Sequence, residues 1–127
     1  MKLMTKEIAK KLVAADKYFV ESENGEGRDE IVVKFFNPAG AGTWYITSAT
    51  PLDSVNGEPD YENYENAPDW HMFGFCDLGI PHCAELGYVL LSELKSIKGM
   101  FGLGIERDMY YSNGSLSEVM EKYNKAA

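Results

Sequence analysis

The sequence predicts an α+β fold in which about five strands form a mostly antiparallel sheet, with N-terminal, middle and C-terminal helices. Short runs of β-branched and aromatic residues follow one another between turn residues, and consecutive strands of this kind usually pair antiparallel. Segments with helical periodicity lie at both ends of the chain and once in between. With 127 residues, of which 45% are hydrophobic, the chain predicts a single domain over residues 1–127.

The N-terminal part predicts the first helix. Thr5 is a suitable N-cap, and the helical pattern fades near Phe19 and Val20. The apolar positions recur with the spacing of one helix side: Ile8, Leu12, Val13 and Ala15. No apolar run approaches the roughly 18 residues of a membrane span, and the start lacks the apolar core of a secretory signal. We therefore expect a cytoplasmic protein.

A hairpin follows the first helix. Glu30–Phe36 (EIVVKFF) is apolar and rich in β-branched and aromatic residues, which is typical of a strand. The segment NPAGAG contains an Asn-Pro pair and two glycines, and it predicts a turn. Gly42–Thr50 (GTWYITSAT) alternates in the manner of a second strand. The two strands are therefore expected to pair.

The middle of the chain predicts two more strands and a short helix. Trp70–Leu78 forms the third strand, and Leu86–Leu91 forms the fourth. The fourth strand runs directly into a helix for which Ser92 is the expected cap and Gly99 the expected end.

The C-terminal part predicts a fifth strand around Ile105–Tyr111 and a last helix. Ser115 and Glu118 have the spacing of a capping box, in which each side chain bonds the other residue's backbone N–H. The helix is expected to reach about Asn124.

The net charge of −8 is concentrated in the middle of the chain, where no Lys or Arg occurs from Phe35 to Leu94. Nine of the 20 acidic residues lie there, which leaves 11 acids and all 12 bases in the flanks. The nine are Asp53, Glu58, Asp60, Glu62, Glu65, Asp69, Asp77, Glu85 and Glu93. A surface with one sign of charge repels nucleic acid and attracts basic partners. Direct nucleic-acid binding is therefore disfavoured.

A long acidic loop is expected at about residues 51–69. Loops of this length in compact domains are usually functional or disordered, and tyrosines among acids are typical of protein-binding surfaces. The predicted partner-binding residues are Asp53, Glu58, Asp60, Tyr61, Glu62, Tyr64, Glu65 and Asp69. The alternative is a solvated acidic loop whose tyrosines are tucked onto the body of the protein.

Residues 71–83 (HMFGFCDLGIPHC) contain every His and Cys of the chain. Zinc prefers four Cys or His ligands in a tetrahedral arrangement. The segment supplies four candidates: His71, Cys76, His82 and Cys83. We therefore predict a zinc site here.

Strand alternation limits how these four residues can combine. His71 and Cys76 are five positions apart, so they lie on opposite faces of a regular strand unless a bulge at Gly74 redirects one of them. A set that needs no bulge takes a fourth ligand from a nearby acid: Cys76, His82 and Cys83 with Asp77 or Glu85. The alternative without metal is a buried Cys76 and an exposed His–Cys pair in the loop.

Four segments together resemble a family of small proteins classed only as a domain of unknown function. They are KFFNPAGAGTWYIT, FGFCDLG, ELGYVLLSELKSIKG and FGLGIERDMYYS, which extend over roughly residues 31–118. The resemblance implies carriage by bacterial plasmids, integrative elements and phages, beside anti-restriction and other counter-defence genes. It implies no catalytic residues.

The sequence departs from the family's pattern in two places. Thr47 and Ser48 stand where the family often has an acid. Cys76, His82 and Cys83 are not part of the pattern either, so the zinc prediction depends on this sequence alone.

These observations predict a non-enzymatic mobile-element protein that binds and inhibits a basic, nucleic-acid-handling host defence protein. A CRISPR nuclease or a restriction enzyme is the expected class of partner, which makes the protein an inhibitor of the anti-CRISPR or anti-restriction type. Two alternatives remain open. One is a metal-dependent enzyme centred on the His–Cys segment, and the other is a binding module for maintenance of a plasmid or integrative element.

Overall fold

The computed structural model describes residues 2–21, 29–98 and 102–126. It confirms the α+β fold class, with five antiparallel strands in the order β4-β3-β2-β1-β5. The helices are α1 Lys6–Glu21, α2 Leu91–Ser96 and α3 Leu116–Ala126. The strands are β1 Val33–Phe36, β2 Thr43–Leu52, β3 Asp69–Asp77, β4 Glu85–Leu90 and β5 Glu106–Arg107. Among these described helices, none combines the length and the apolar character that crossing a bilayer requires.

The sheet has a core face and an outer face. Helices α1 and α2 cover the core face, where Leu12 and Leu94 pack with apolar side chains from the strands. The buried strand residues on this face include Phe35, Trp44, Ile46, Trp70 and Met72. Helix α3 and the loop before it cover part of the outer face. Tyr123 of α3 contacts Phe75, and Tyr111 of the loop contacts Tyr45.

The predicted Thr5 cap is confirmed, and of the predicted capping box the described hydrogen bonds include the Ser115 half only. The hydroxyl of Thr5 accepts the Ile8 N–H at 3.2 Å, and that of Ser115 accepts the Glu118 N–H at 3.2 Å. Asp29 adds a cap that the sequence did not predict, because its carboxylate accepts both the N–H and the hydroxyl of Ser117. A residue 88 positions away therefore fixes the start of α3.

The prediction for Ser92 is wrong. Helix α2 begins at Leu91, so Ser92 lies in its first turn. The Ser92 hydroxyl donates to the carboxylate of Asp69 at 2.7 Å. The Leu90 N–H, at the start of the helix, donates to the carboxylate of Glu93 at 3.2 Å. The expected helix end at Gly99 lies outside the described residues.

Strand β5 is shorter than predicted. Only Glu106 and Arg107 pair, opposite the end of β1. The carboxylate of Asp108 then accepts the Tyr110 N–H at 3.0 Å. This local hydrogen bond competes with strand pairing and turns the chain away from the sheet.

The bulge considered at Gly74 lies instead in the neighbouring strand. The pairing of β2 with β3 shifts between Ile46 and Ser48, whereas β3 pairs with β4 without interruption. The extra residue, Thr47, is buried, and its hydroxyl donates to the Phe73 carbonyl at 3.4 Å. Strand β3 therefore keeps a strict alternation, which fixes the face on which each of its side chains lies.

Gly74 lies where β2 and β3 approach most closely. A Cβ atom added at this position would be 1.9 Å from the carbonyl oxygen of Tyr45, far inside van der Waals contact. The obstacle is backbone, which cannot move without breaking the ladder. Glycine is therefore required at this position.

We expect Gly74→Ala to lower the free energy of unfolding by about 3 kcal/mol, because the methyl group would force β2 and β3 apart. Urea denaturation checks this value. Gly87→Ala is the matched control, since Gly87 pairs directly with Gly74 across the β3–β4 ladder and has open space around it. Equal stability of the two variants would contradict the packing argument.

Candidate functional site

The predicted acidic loop is an ordered structure, which we call the acidic lobe (residues 53–68). Strand β2 continues to Leu52, which forms a bridge with Pro59. The Asp53 N–H donates to the Glu58 carbonyl at 2.8 Å. A 3-10 turn over Tyr64–Asn66 then leads into β3. These contacts give the lobe a defined shape before any partner binds.

Asp69 anchors the lobe from its C-terminal end. Its Oδ1 atom accepts the N–H groups of Trp70 and Ser92, both at 2.9 Å. Its Oδ2 atom accepts the Asn56 N–H at 3.0 Å and the Ser92 hydroxyl at 2.7 Å. The side chain is fully buried, so the prediction that Asp69 contacts a partner is wrong. Its carboxylate instead joins the lobe, β3 and α2.

The hydrogen bonds determine the charge state of Asp69. Burial by itself acts to raise the pKa of the carboxyl, but donation from Asn56, Ser92 and Trp70 outweighs burial. The pKa therefore lies below its usual range, and the group remains a carboxylate at neutral pH. Four donors around one charge make this a strong junction in the fold.

The two tyrosines of the lobe face the body of the protein. Tyr61 and Tyr64 are half-buried and pack against the core, which matches the alternative of tucked tyrosines. The Tyr61 hydroxyl donates to Asp16 Oδ2, and the Thr50 hydroxyl donates to the same oxygen at 3.1 Å. Burial first, and then the hydrogen bond to Asp16, raise the pKa of Tyr61, so the phenol stays protonated. Both rings keep part of their surface exposed, and their assignment to partner binding stays a prediction.

The remaining acids of the predicted contact set stay at the surface. Four are exposed and Asp60 is partly exposed; the four are Asp53, Glu58, Glu62 and Glu65. Within residues 2–21, 29–98 and 102–126, no Lys or Arg forms an ion pair with an acid of the lobe. The lobe therefore presents negative charge that no ion pair among the described residues neutralises. Its boundary lies near Glu65, which shares a surface depression with Lys2, Lys6 and Lys95.

The structure separates the four predicted zinc ligands. His71 lies on the outer face, where its ring stacks on Tyr88 with centroids 4.4 Å apart. Cys76 lies on the core face and is half-buried against the core cluster. His82 and Cys83 are exposed in the loop before β4, where His82 has a positive φ of 63°. The opposite faces expected for His71 and Cys76 are confirmed.

No described group of three or more His, Cys, Asp or Glu side chains is arranged to hold a metal ion. Zinc therefore stays a prediction of the sequence, and the described residues bring no coordinating group together. The thiol of Cys76 also lacks the features of a nucleophile. Burial, and then the negative charge of Glu85, raise its pKa and disfavour the reactive thiolate.

Sequence reasoning missed Asp16, which is buried and accepts hydrogen bonds from two hydroxyl groups. A signal was present in the helical pattern. Asp16 follows Leu12 by four positions and Val13 by three, so it lies on the apolar side of α1. An acid on that side needs polar partners from elsewhere in the fold, and these are Thr50 and Tyr61.

We expect Asp69→Asn to lower the free energy of unfolding by about 2 kcal/mol at pH 7, because the amide cannot accept from all four donors. The lowered pKa of Asp69 means that its contribution is present above the unfolded-state pKa of about 3.9 and is lost as the pH falls through the folded-state value. Urea denaturation between pH 7 and pH 3 should therefore show the unfolding free energies of the natural protein and Asp69→Asn converging as the pH falls. The control is Glu62→Gln on the exposed lobe surface, and a pH-independent difference would contradict the assignment.

We expect the two thiols to react with Ellman's reagent at very different rates. Cys83 is exposed and should react quickly, whereas Cys76 is half-buried with a raised pKa and should react slowly. Cys83→Ser should remove the fast phase and leave the slow one. A zinc site built from both thiols predicts the opposite, namely that both are protected until a chelator is added.

Comparison with known proteins identifies a family. A family model described as "Protein of unknown function (DUF2958)" matches residues 3–60 and 62–127. No curated protein matches the chain, and no solved structure matches it. Because the family model extends over nearly the whole chain, the protein belongs to the family of proteins of unknown function designated DUF2958.

Proposed function

We propose that this protein is a non-enzymatic inhibitor that binds a basic, nucleic-acid-handling host protein through its acidic lobe. One observation carries the proposal. Residues 35–94 contain no Lys or Arg, and the exposed lobe acids within this stretch have no ion-pair partner among the described residues. Such a surface attracts basic partners and accelerates their association.

The chemistry of the lobe suits a partner that normally binds phosphates. Carboxylates spaced along an ordered loop present negative charge to the Lys and Arg side chains that contact a nucleic-acid backbone. The hydrogen bonds of Asp69 and Asp53 hold the lobe in place, so little conformational entropy is lost on binding. An ordered acidic surface therefore supports tight binding better than a flexible acidic tail.

The biological setting of the proposal comes from the family resemblance. Carriage by a plasmid, integrative element or phage, beside counter-defence genes, favours a CRISPR nuclease or a restriction enzyme as the partner in the cytoplasm. The buried environment of Cys76 and the dispersed His and Cys residues give no support to the enzyme alternative. A structural zinc is not required by this proposal.

We expect the triple variant E58K/E62K/E65K to bind the partner at least about tenfold more weakly, chiefly through slower association. Binding would be measured by biolayer interferometry against a panel of CRISPR effector nucleases and restriction enzymes, over a series of salt concentrations. All three positions are exposed, so the fold should be retained.

The control for this experiment is E7K/E30K/E85K, which changes the net charge equally at exposed positions outside the lobe. Full binding by the lobe variant would show that the lobe is not the contact surface. If both triple variants bound the partner equally weakly, the effect would come from net charge and not from the lobe surface. If no nuclease of the panel binds the natural protein, the proposed class of partner is wrong.

A further inference from the structure

The uncovered part of the outer face contains a cavity of about 490 Å³, which we call the outer cavity. It lies between the C-terminal part of α1 and strands β2, β3 and β4. The residues that matter most for its chemistry are Asp16, Phe19, Tyr61, His71, Phe73 and Tyr88. Its volume lies within the range of about 300–1,000 Å³ that is typical of ligand pockets.

Asp16 supplies a buried negative charge to the outer cavity. The residue is only 8% exposed, and its Oδ2 atom accepts the hydroxyls of Thr50 and Tyr61. Its Oδ1 atom accepts no hydrogen bond from any of the residues that the structure describes. Within the described residues Oδ1 is not a buried unpaired atom, so it is open to the cavity that Asp16 lines. The cavity therefore has an unused acceptor at a position where a ligand donor would be favourable.

Aromatic rings line the other side of the outer cavity. Phe73 and Tyr88 have centroids 5.1 Å apart at 51°, and His71 stacks on Tyr88. Tyr88 is 62% exposed, so its ring surface is accessible to a ligand. The faces of aromatic rings attract cations. In the described parts of the chain, no Lys or Arg lines the cavity.

We propose that the outer cavity receives the guanidinium group of an arginine side chain from a protein partner. A guanidinium group carries donors for the free Oδ1 of Asp16 and has a planar surface that stacks on Tyr88 and Phe73. A lysine ammonium is more strongly hydrated and cannot stack, so arginine is preferred. The charge of Asp16 disfavours an anionic ligand, and a neutral apolar ligand would offer no donor to its Oδ1 atom.

The outer cavity and the acidic lobe meet at Tyr61. This residue belongs to the lobe, and its hydroxyl contacts the carboxylate that lines the cavity. A basic protein attracted by the lobe can therefore place one arginine in the cavity. The inference deepens the proposed function and, for the identity of the partner, rests on it. The lobe would speed association with the partner, and the cavity would fix the partner's orientation through one arginine contact.

The test is an NMR titration of the full chain with Nα-acetyl-arginine amide at millimolar concentrations. The neutral isostere Nα-acetyl-citrulline amide and the lysine analogue serve as reference probes. We expect chemical-shift changes at Thr50, His71 and Tyr88, with the arginine probe binding at least about tenfold more tightly than citrulline. Equal binding of arginine and citrulline, or no shift at these residues with arginine, would overturn the proposal.

Two variants locate the binding site. Asp16→Asn should weaken binding of the arginine probe about tenfold, and Tyr88→Leu should do the same. Because the Tyr88 side chain is largely exposed, its replacement should not affect folding. Tyr110→Leu is the matched control, because Tyr110 is 97% exposed and does not line the outer cavity. Circular dichroism would verify each fold. If Tyr88→Leu is folded and binds the probe as well as the natural protein does, the assignment is wrong.

The same reagents separate this proposal from the proposed function. The small probe should bind E58K/E62K/E65K nearly as well as the natural protein, since the cavity itself is unchanged. Probe binding without any nuclease binding would support the cavity and refute only the class of partner. Nuclease binding that needs the lobe but is unaffected by Tyr88→Leu would support the lobe and overturn the arginine contact.

Discussion

The buried carboxylate of Asp69 is the interaction on which the arrangement of the chain depends. Its two oxygens accept four hydrogen bonds, from Asn56 in the acidic lobe, Trp70 in β3, and Ser92 in α2. Removing a charge from water is unfavourable unless all of its bonding capacity is used. Because the donors come from three separate segments, the charge is stable only when the lobe, the sheet and α2 are in their native positions.

The regular course of β3 imposes a second constraint, because strict alternation divides its side chains between two environments. Trp70 and Met72 point into the core, whereas His71 and Phe73 point to the outer face. Gly74 allows β2 to approach β3 closely. The bulge between these two strands lies at Thr47 in β2, so β3 itself stays regular. The outer face consequently keeps an aromatic surface that α3 covers only in part.

Two buried acids link stability to surface chemistry in different ways. Asp69 has all of its donors within the protein, so it serves structure. Asp16 is 8% exposed, and among the described residues none donates to its Oδ1 atom, which is open to a cavity lined by aromatic rings. The exposed acids of the lobe contribute negative charge at the surface, whereas Asp16 lies in a cavity together with the aromatic rings of Tyr88 and Phe73. Under the proposed function, long-range attraction and short-range selectivity would come from neighbouring parts of one surface.

The sequence by itself determined the strands, the hairpin, the Thr5 and Ser115 caps, and the concentration of acids, because alternation, capping and charge are local properties. Only the tertiary structure decided the roles of Asp69, Ser92, Tyr61 and Asp16, because their partners lie 13 to 45 positions away. The position of the bulge and the short β5 likewise depended on which segments meet. Burial and long-range hydrogen bonding arise from the packing of distant segments, which no local pattern encodes.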